Sequence, residues 1–132
     1  MNYELLLKQN NLKITPQRLG ILQLMHEAGH ISIEELFASI KKQFSSISLA
    51  TLYKNINAML ETSLIKEVKA PEVKARYEIS KTPHAHLVCH VCGEFKDIHF
   101  DVVHVAHTIA DTSGYTINDT SLIVSGTCPK CQ

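Results

Sequence analysis

The sequence predicts an α+β chain in two parts, helices first and short strands around one helix afterwards. Three observations carry that reading. Apolar residues recur at helical spacing in three runs before residue 61, each opened by a residue that can cap a helix. Strand-like runs bounded by turn residues take over after that. All four cysteines and six of the eight histidines fall after residue 83.

The 132 residues suit one domain of average size or two small ones. No apolar run approaches the length of a membrane span, and Met1 to Leu12 lacks the apolar core and cleavage-like site of a leader. A cytoplasmic protein is expected. The net charge is zero, yet residues 1–83 hold 11 Lys+Arg against 8 Asp+Glu, and residues 84–132 hold 2 against 5. The first half is the one to suspect of touching phosphates, although an excess of this size also suits an ordinary solvated surface.

Thr15-Pro16 starts a helix: threonine caps, and proline is tolerated at the first helical position. Leu19, Leu22 and Met25 continue it, and Gly29 ends it. Ser32 and Glu35 have capping-box spacing and open a second helix with Ile33, Leu36, Phe37, Ile40 and Phe44 on its apolar face. A third begins near Ser48, with Leu49, Leu52, Ile56, Met59 and Leu60 on one stripe. Thr51, Lys54, Asn55 and Ala58 lie opposite, with Tyr53 at the flank. Strands follow at Leu64 to Lys69 and Lys74 to Ile79, around a turn at Ala70-Pro71-Glu72. Helix, turn, helix, hairpin is the order of a winged helix-turn-helix, which puts its second motif helix into the DNA major groove. The same order suits a three-helix domain that binds a protein partner, and periodicity does not separate the two.

Ser80 to Pro83 reads as a hinge. Strands at His86 to Cys89 and Phe95 to Phe100 come next, then a helix from Asp101 to Ser113 with Val102, Val105, Ala106, Ile109 and Ala110 as its apolar face. Tyr115 to Asn118 and Ser121 to Ser125 read as closing strands. The expected division is 1–79, a hinge at 80–84, and 85–132.

Cys89-x-x-Cys92 and Cys128-x-x-Cys131 are two tight turns, each able to aim two sulfurs at one point. Together they make a tetrahedral sulfur cage that suits structural zinc. A disulfide is disfavoured in a cytoplasmic chain, and a redox pair needs only one such turn. His84 and His86, two apart in an extended segment, point to one side. Glu78 before the hinge and Asp97 on the next strand can converge on them. Such nitrogen and oxygen donors suit iron(II), manganese(II), zinc or nickel(II). A lone pair of this kind is more often two solvated histidines; closeness to the cysteine turn favours a metal. If His30, at a helix junction in the first half, joins the same ion, binding would set the angle between the halves. His90, His99, His104 and His107 receive no role; His104 and His107 can share a helix face, with exposure the expected state.

No H-E-x-x-H, nucleophile elbow or phosphate loop is present, so neither an enzyme nor a small organic substrate is expected. The competing readings are a metalloenzyme built on the histidine and carboxylate site, and a zinc-stapled interaction module without a DNA role.

Four segments in this order resemble the ferric uptake regulator family: Thr15-Pro-Gln-Arg18, Ser48-Leu-Ala-Thr-Leu-Tyr-Lys-Asn55, Ala75-Arg-Tyr-Glu78, and His84-Ala-His-Leu-Val-Cys-His-Val-Cys-Gly93. The resemblance runs from Ile14 to Cys131. It implies an N-terminal winged helix, a C-terminal α/β dimerisation domain, and a homodimer reading an AT-rich inverted repeat in double-stranded DNA. It makes the helix from Ser48 the recognition helix, with Tyr53 the characteristic contact; the helical wheel adds Thr51 and Lys54, and Arg18 is expected at phosphate. It makes Cys89, Cys92, Cys128 and Cys131 the structural zinc site. His30, Glu78, His84, His86 and Asp97 become a regulatory iron(II) or manganese(II) site. Asp97 is similar to the peroxide-sensing branch, where iron-catalysed oxidation strikes ligand histidines, here His30 or His84. Glu78 points towards the iron-sensing branch. A further site of the iron sensors falls on Pro83, Ala85, His104 and Thr120, and is expected to be absent or altered. Peroxide response comes first, iron response second, zinc response third.

Overall fold

The computed structural model describes residues 1–132, which form two compact units: residues 1–69 with 74–80, and residues 70–73 with 81–132. No helix is long and apolar enough to cross a membrane.

The first unit contains α1 (Tyr3–Gln9), α2 (Pro16–Ala28), β1 (Ile31–Ser32), α3 (Ile33–Gln43), α4 (Leu49–Glu61), β2 (Ile65–Val68) and β3 (Arg76–Ile79). The caps read from sequence are in place. Thr15 Oγ1 accepts from the Arg18 amide at 3.2 Å, Ser32 Oγ from Glu35 at 3.3 Å, and Ser48 Oγ from Thr51 at 3.1 Å. Each satisfies one of the amides that a helix start leaves without a partner. Gly29 ends α2 at φ +80°, a conformation that L side chains rarely adopt.

Leu7, Ile21, Leu22, Met25, Leu36, Ile40, Leu52, Ile56 and Met59 are fully buried and join in one core. The helices stay together because this apolar surface leaves water. β2 and β3 pair antiparallel as the expected hairpin, and the two-residue β1 adds on β3, giving the order β1-β3-β2. This is the winged helix-turn-helix arrangement. Leu49 departs from the expected apolar stripe: it is 44% exposed at the first turn of α4, before the helix reaches the core. Helix α1 and strand β1 were not expected. A seven-residue helix has little stability of its own and forms because Leu7 is buried in the core.

The second unit contains β4 (Ala85–Cys89), β5 (Phe95–Ile98), α5 (Val102–Ser113) and β6 (Leu122–Gly126). Strand β4 is central, antiparallel to β5 and parallel to β6. Reaching a parallel neighbour requires a crossover, and α5 lies on that connection. Asp101 caps α5 through the His104 amide at 2.9 Å, and Gly114 ends it in the left-handed region. Two expectations fail here. Tyr115 to Asn118 is not a strand, because it finds no partner strand within the chain, and Tyr115 is 74% exposed. The apolar face of α5 is only partly covered: Val102 is buried, Val105, Ala106 and Ala110 are half-buried, and Ile109 is exposed.

Ile40→Ala, at a fully buried position on α3, is expected to destabilise the first unit by about 2–5 kcal/mol. A shift of its urea unfolding midpoint, followed by helical circular dichroism, checks this.

Candidate metal centres

The first cluster is made by strand pairing. Cys89 is the last residue of β4, and its register partner on parallel β6 is Gly126, two residues before Cys128. Both cysteine turns therefore leave the sheet at the same end. The first turn closes through the Gly93 amide donating to the Cys89 carbonyl at 2.9 Å, with Gly93 at φ +77°. The second closes through the Cys131 amide donating to the Cys128 carbonyl at 2.9 Å. His90 ties the turns together: its amide and its Nδ1 both reach the Gly126 carbonyl, at 2.9 and 2.7 Å.

The four sulfurs lie within 4.8 Å of one another, and none is in a disulfide. Cys92 and Cys128 are 3.8 Å apart at sulfur. Zinc–sulfur bonds of about 2.3 Å in a tetrahedron put neighbouring sulfurs about 3.8 Å apart, so the donor set fits zinc in both chemistry and size. Electrostatics agree. Amides of Cys92 and Cys128 point at the Cys89 sulfur, at 3.5 and 3.4 Å, and pull its thiol down to about 6. Beside the Cys128 sulfur, the Cys131 thiol is pushed up to about 12. Four thiolates at this spacing repel one another, and a divalent cation removes that repulsion.

The second cluster also rests on β4. The register sets Asp97 of β5 opposite His86 of β4, and His84 stands just before the strand. His84 and His86 approach through Nε2 at 3.0 Å. Asp97 Oδ1 is 3.3 Å from His86 Nε2 and 3.6 Å from His84 Nε2. His84 Nδ1 lies 2.9 Å from the Thr82 carbonyl. A carbonyl only accepts, so Nδ1 carries a proton and Nε2 is the ring nitrogen turned towards His86 and Asp97. Lys81 Nζ meets Asp97 Oδ2 at 2.5 Å. Partial burial pushes the Asp97 carboxyl up, but the Lys81 hydrogen bond and charge outweigh it and hold it below the usual range. Two nitrogens and a carboxylate oxygen converging this closely suit a divalent ion that accepts nitrogen and oxygen donors.

The other two expected ligands belong to the first unit. Glu78 is buried on β3, opposite Lys66. His30 is half-buried, with Nδ1 3.5 Å from Arg76.

On α4, Tyr53 and Lys54 are exposed and Thr51 is half-buried, all outside the core stripe. Arg18 is engaged inside its own unit. Its Nε donates to Asn55 Oδ1 at 3.0 Å and its Nη1 to the Lys13 carbonyl at 2.9 Å. Asn55 Nδ2 in turn donates to the Thr51 carbonyl. Arg18 thus braces α4 against the start of α2. Asn55 and Lys81 are the residues that spacing did not single out. Asn55, four after Thr51, carried a helical-wheel signal; Lys81 carried none. His104 and His107 are exposed, as expected, and so is His99, which carried no expectation.

Comparison with known proteins adds a family. A model of the ferric uptake regulator family matches residues 9–125. The peroxide operon regulator of Bacillus subtilis is 28% identical over 96% of this chain and 88% of its own. Among solved structures, the Campylobacter jejuni peroxide stress regulator superposes with a TM-score of 0.81 at 36% identity, covering 99% of this chain and 100% of that one. The Vibrio cholerae ferric uptake regulator, whose DNA-binding domains are described as rearranged, gives 0.77 at 31% identity over 96% and 100%.

Cys131→Ser is expected to lose zinc and lower the melting temperature, as metal analysis and thermal unfolding would record. Zinc retention should also weaken as pH falls, because the raised Cys131 thiol must give up its proton to bind.

Proposed function

This chain belongs to the ferric uptake regulator family, and we propose that it is a metal-dependent repressor that binds an AT-rich inverted repeat as a homodimer and releases it on exposure to peroxide. The observation that carries the reading is the convergence of His84, His86 and Asp97 on one strand pair, with aspartate as the carboxylate, in a chain similar to peroxide regulators.

In this reading zinc stays in the cage of Cys89, Cys92, Cys128 and Cys131 and stiffens the end of the β4–β6 pair. Iron(II) or manganese(II) takes His84, His86 and Asp97, with Glu78 and His30 completing the set. Because ligands come from both units, binding restricts how the units are arranged and favours the DNA-reading arrangement. Iron(II) held there would supply the one-electron chemistry that activates peroxide, with the two electrons of the net step coming from the imidazole that is oxidised; manganese(II) would suit the same ligands but react poorly. The imidazole of His30 or His84 gains one oxygen atom and the rest of the peroxide leaves as water. An oxidised ring is a poor ligand, so the ion and the arrangement are lost together.

Helix α4 enters the major groove with Tyr53, Thr51 and Lys54. Arg18 braces that helix through Asn55 while its remaining donors face phosphate. A second copy covers the apolar residues that the second unit leaves exposed, among them Phe100, Val103, Ile109 and Val124. The repressor acts in the cytoplasm, where its DNA lies, and turns over no substrate. Glu78 favours an iron-responsive repressor as the second reading.

Two experiments test this. Anaerobic protein loaded with iron(II) and given a small dose of peroxide is expected to gain one oxygen on the peptide holding His30 or His84, by mass spectrometry, while a manganese(II) sample does not. Iron retained without oxygen gain, with DNA still bound, would select the iron-responsive reading. Separately, Tyr53→Ala is expected to weaken operator binding by about tenfold or more, at 1–3 kcal/mol per good base contact, with zinc content and dimerisation unchanged. Binding by the unaltered protein should fall steeply with salt, and a flat salt response would exclude a DNA reader.

A further inference from the structure

Asp97 divides its two oxygens between different neighbours. Oδ1 faces the imidazole pair, and Oδ2 takes the Lys81 ammonium at 2.5 Å. Lys81 lies three residues before His84, in the segment leading into β4. Its side chain is 47% exposed and that of Asp97 32%, so the pair is screened but not free in water. The regulatory-site reading above leaves this lysine without a role.

Two physical effects follow from its position. A carboxylate can give a metal ion one oxygen or both. An ammonium on Oδ2 competes for the second oxygen and turns Oδ1 towards Nε2 of His84 and His86. The fixed positive charge also opposes a divalent cation arriving at the same carboxylate. Both weaken ion binding, and partial exposure keeps the effect modest.

Building on the regulatory-site reading, we propose that Lys81 is a positioning residue that reserves Oδ2 of Asp97, makes Asp97 a one-oxygen ligand, and lowers the affinity of the histidine and aspartate site for divalent metal. The site is thereby set to fill reversibly rather than to capture its ion permanently, as a sensor requires.

The test is manganese(II) affinity, measured by competition with a chromophoric chelator on the zinc-loaded full chain. Lys81→Met is expected to bind manganese(II) roughly fivefold more tightly than the unaltered protein, the upper range for one partly exposed ion pair. Lys81→Gln should do the same and stands in if the methionine variant folds poorly. Lys81→Arg should bind more weakly, because a guanidinium fork engages both carboxylate oxygens. The gain should shrink as ionic strength rises. In an Asp97→Asn background, Lys81→Met should gain clearly less than it does beside the aspartate, because only the charge repulsion remains once no carboxylate holds the ammonium. Zinc content and melting temperature should not move, which separates this role from a structural one.

Neutral variants that bind no more tightly, or a gain that survives undiminished in the Asp97→Asn background, would overturn the assignment. If the unaltered protein binds manganese(II) and answers peroxide while the order of variants fails, only the role of Lys81 is wrong. If it takes up no manganese(II) beside its zinc, the regulatory-site reading and this inference fall together.

Discussion

Strand β4 is the constraint on which the second unit depends. It is five residues long and is paired along both edges, with β5 antiparallel and β6 parallel. One end carries His86 opposite Asp97, and the other carries Cys89 beside the turn that brings in Cys128. A one-residue slip of β5 would turn Asp97 to the opposite face. A slip of β6 would pull the second cysteine turn out of reach of the first. The same backbone hydrogen bonds that make the sheet thus assemble both donor sets.

The first unit is held by different means. Its apolar core fixes where α2, α3 and α4 lie, and one polar chain from the Lys13 carbonyl through Arg18 and Asn55 to the Thr51 carbonyl fixes how α4 is presented. The hydrophobic term supplies most of the stability but is not directional. The hydrogen bonds supply orientation. Arg18, expected from sequence to meet phosphate, therefore has a structural duty that a charge count does not reveal.

Much of this was legible in the sequence because it is local. Thr15, Ser32 and Ser48 cap helices through amides three residues ahead, and Gly29 and Gly93 adopt positive φ where the chain must turn. The two cysteine turns and the His84 and His86 pair needed only spacing. What was not legible depends on partners distant in the chain. Helix α1 exists because Leu7 is buried in a core it does not itself build. Tyr115 to Asn118 has the alternation of a strand but no neighbour in the chain to pair with. The face of α5 has helical periodicity with only partial burial, since periodicity reports an amphipathic helix and not what covers it. Lys81 has no signature at all until the fold sets it against Asp97.

His86 and Cys89 are an odd number of residues apart on β4, so the pleat sends them to opposite faces, about 10 Å apart along the strand. The strand therefore separates its own members of the two donor sets by face as well as by distance. The Cys89 sulfur, of the group type most easily damaged by oxidants, lies on one face, and the His86 imidazole lies on the other. Oxidation at the imidazole pair, as proposed above, would then strike on the face away from the Cys89 sulfur and leave the sulfur cage to hold the strand ends together.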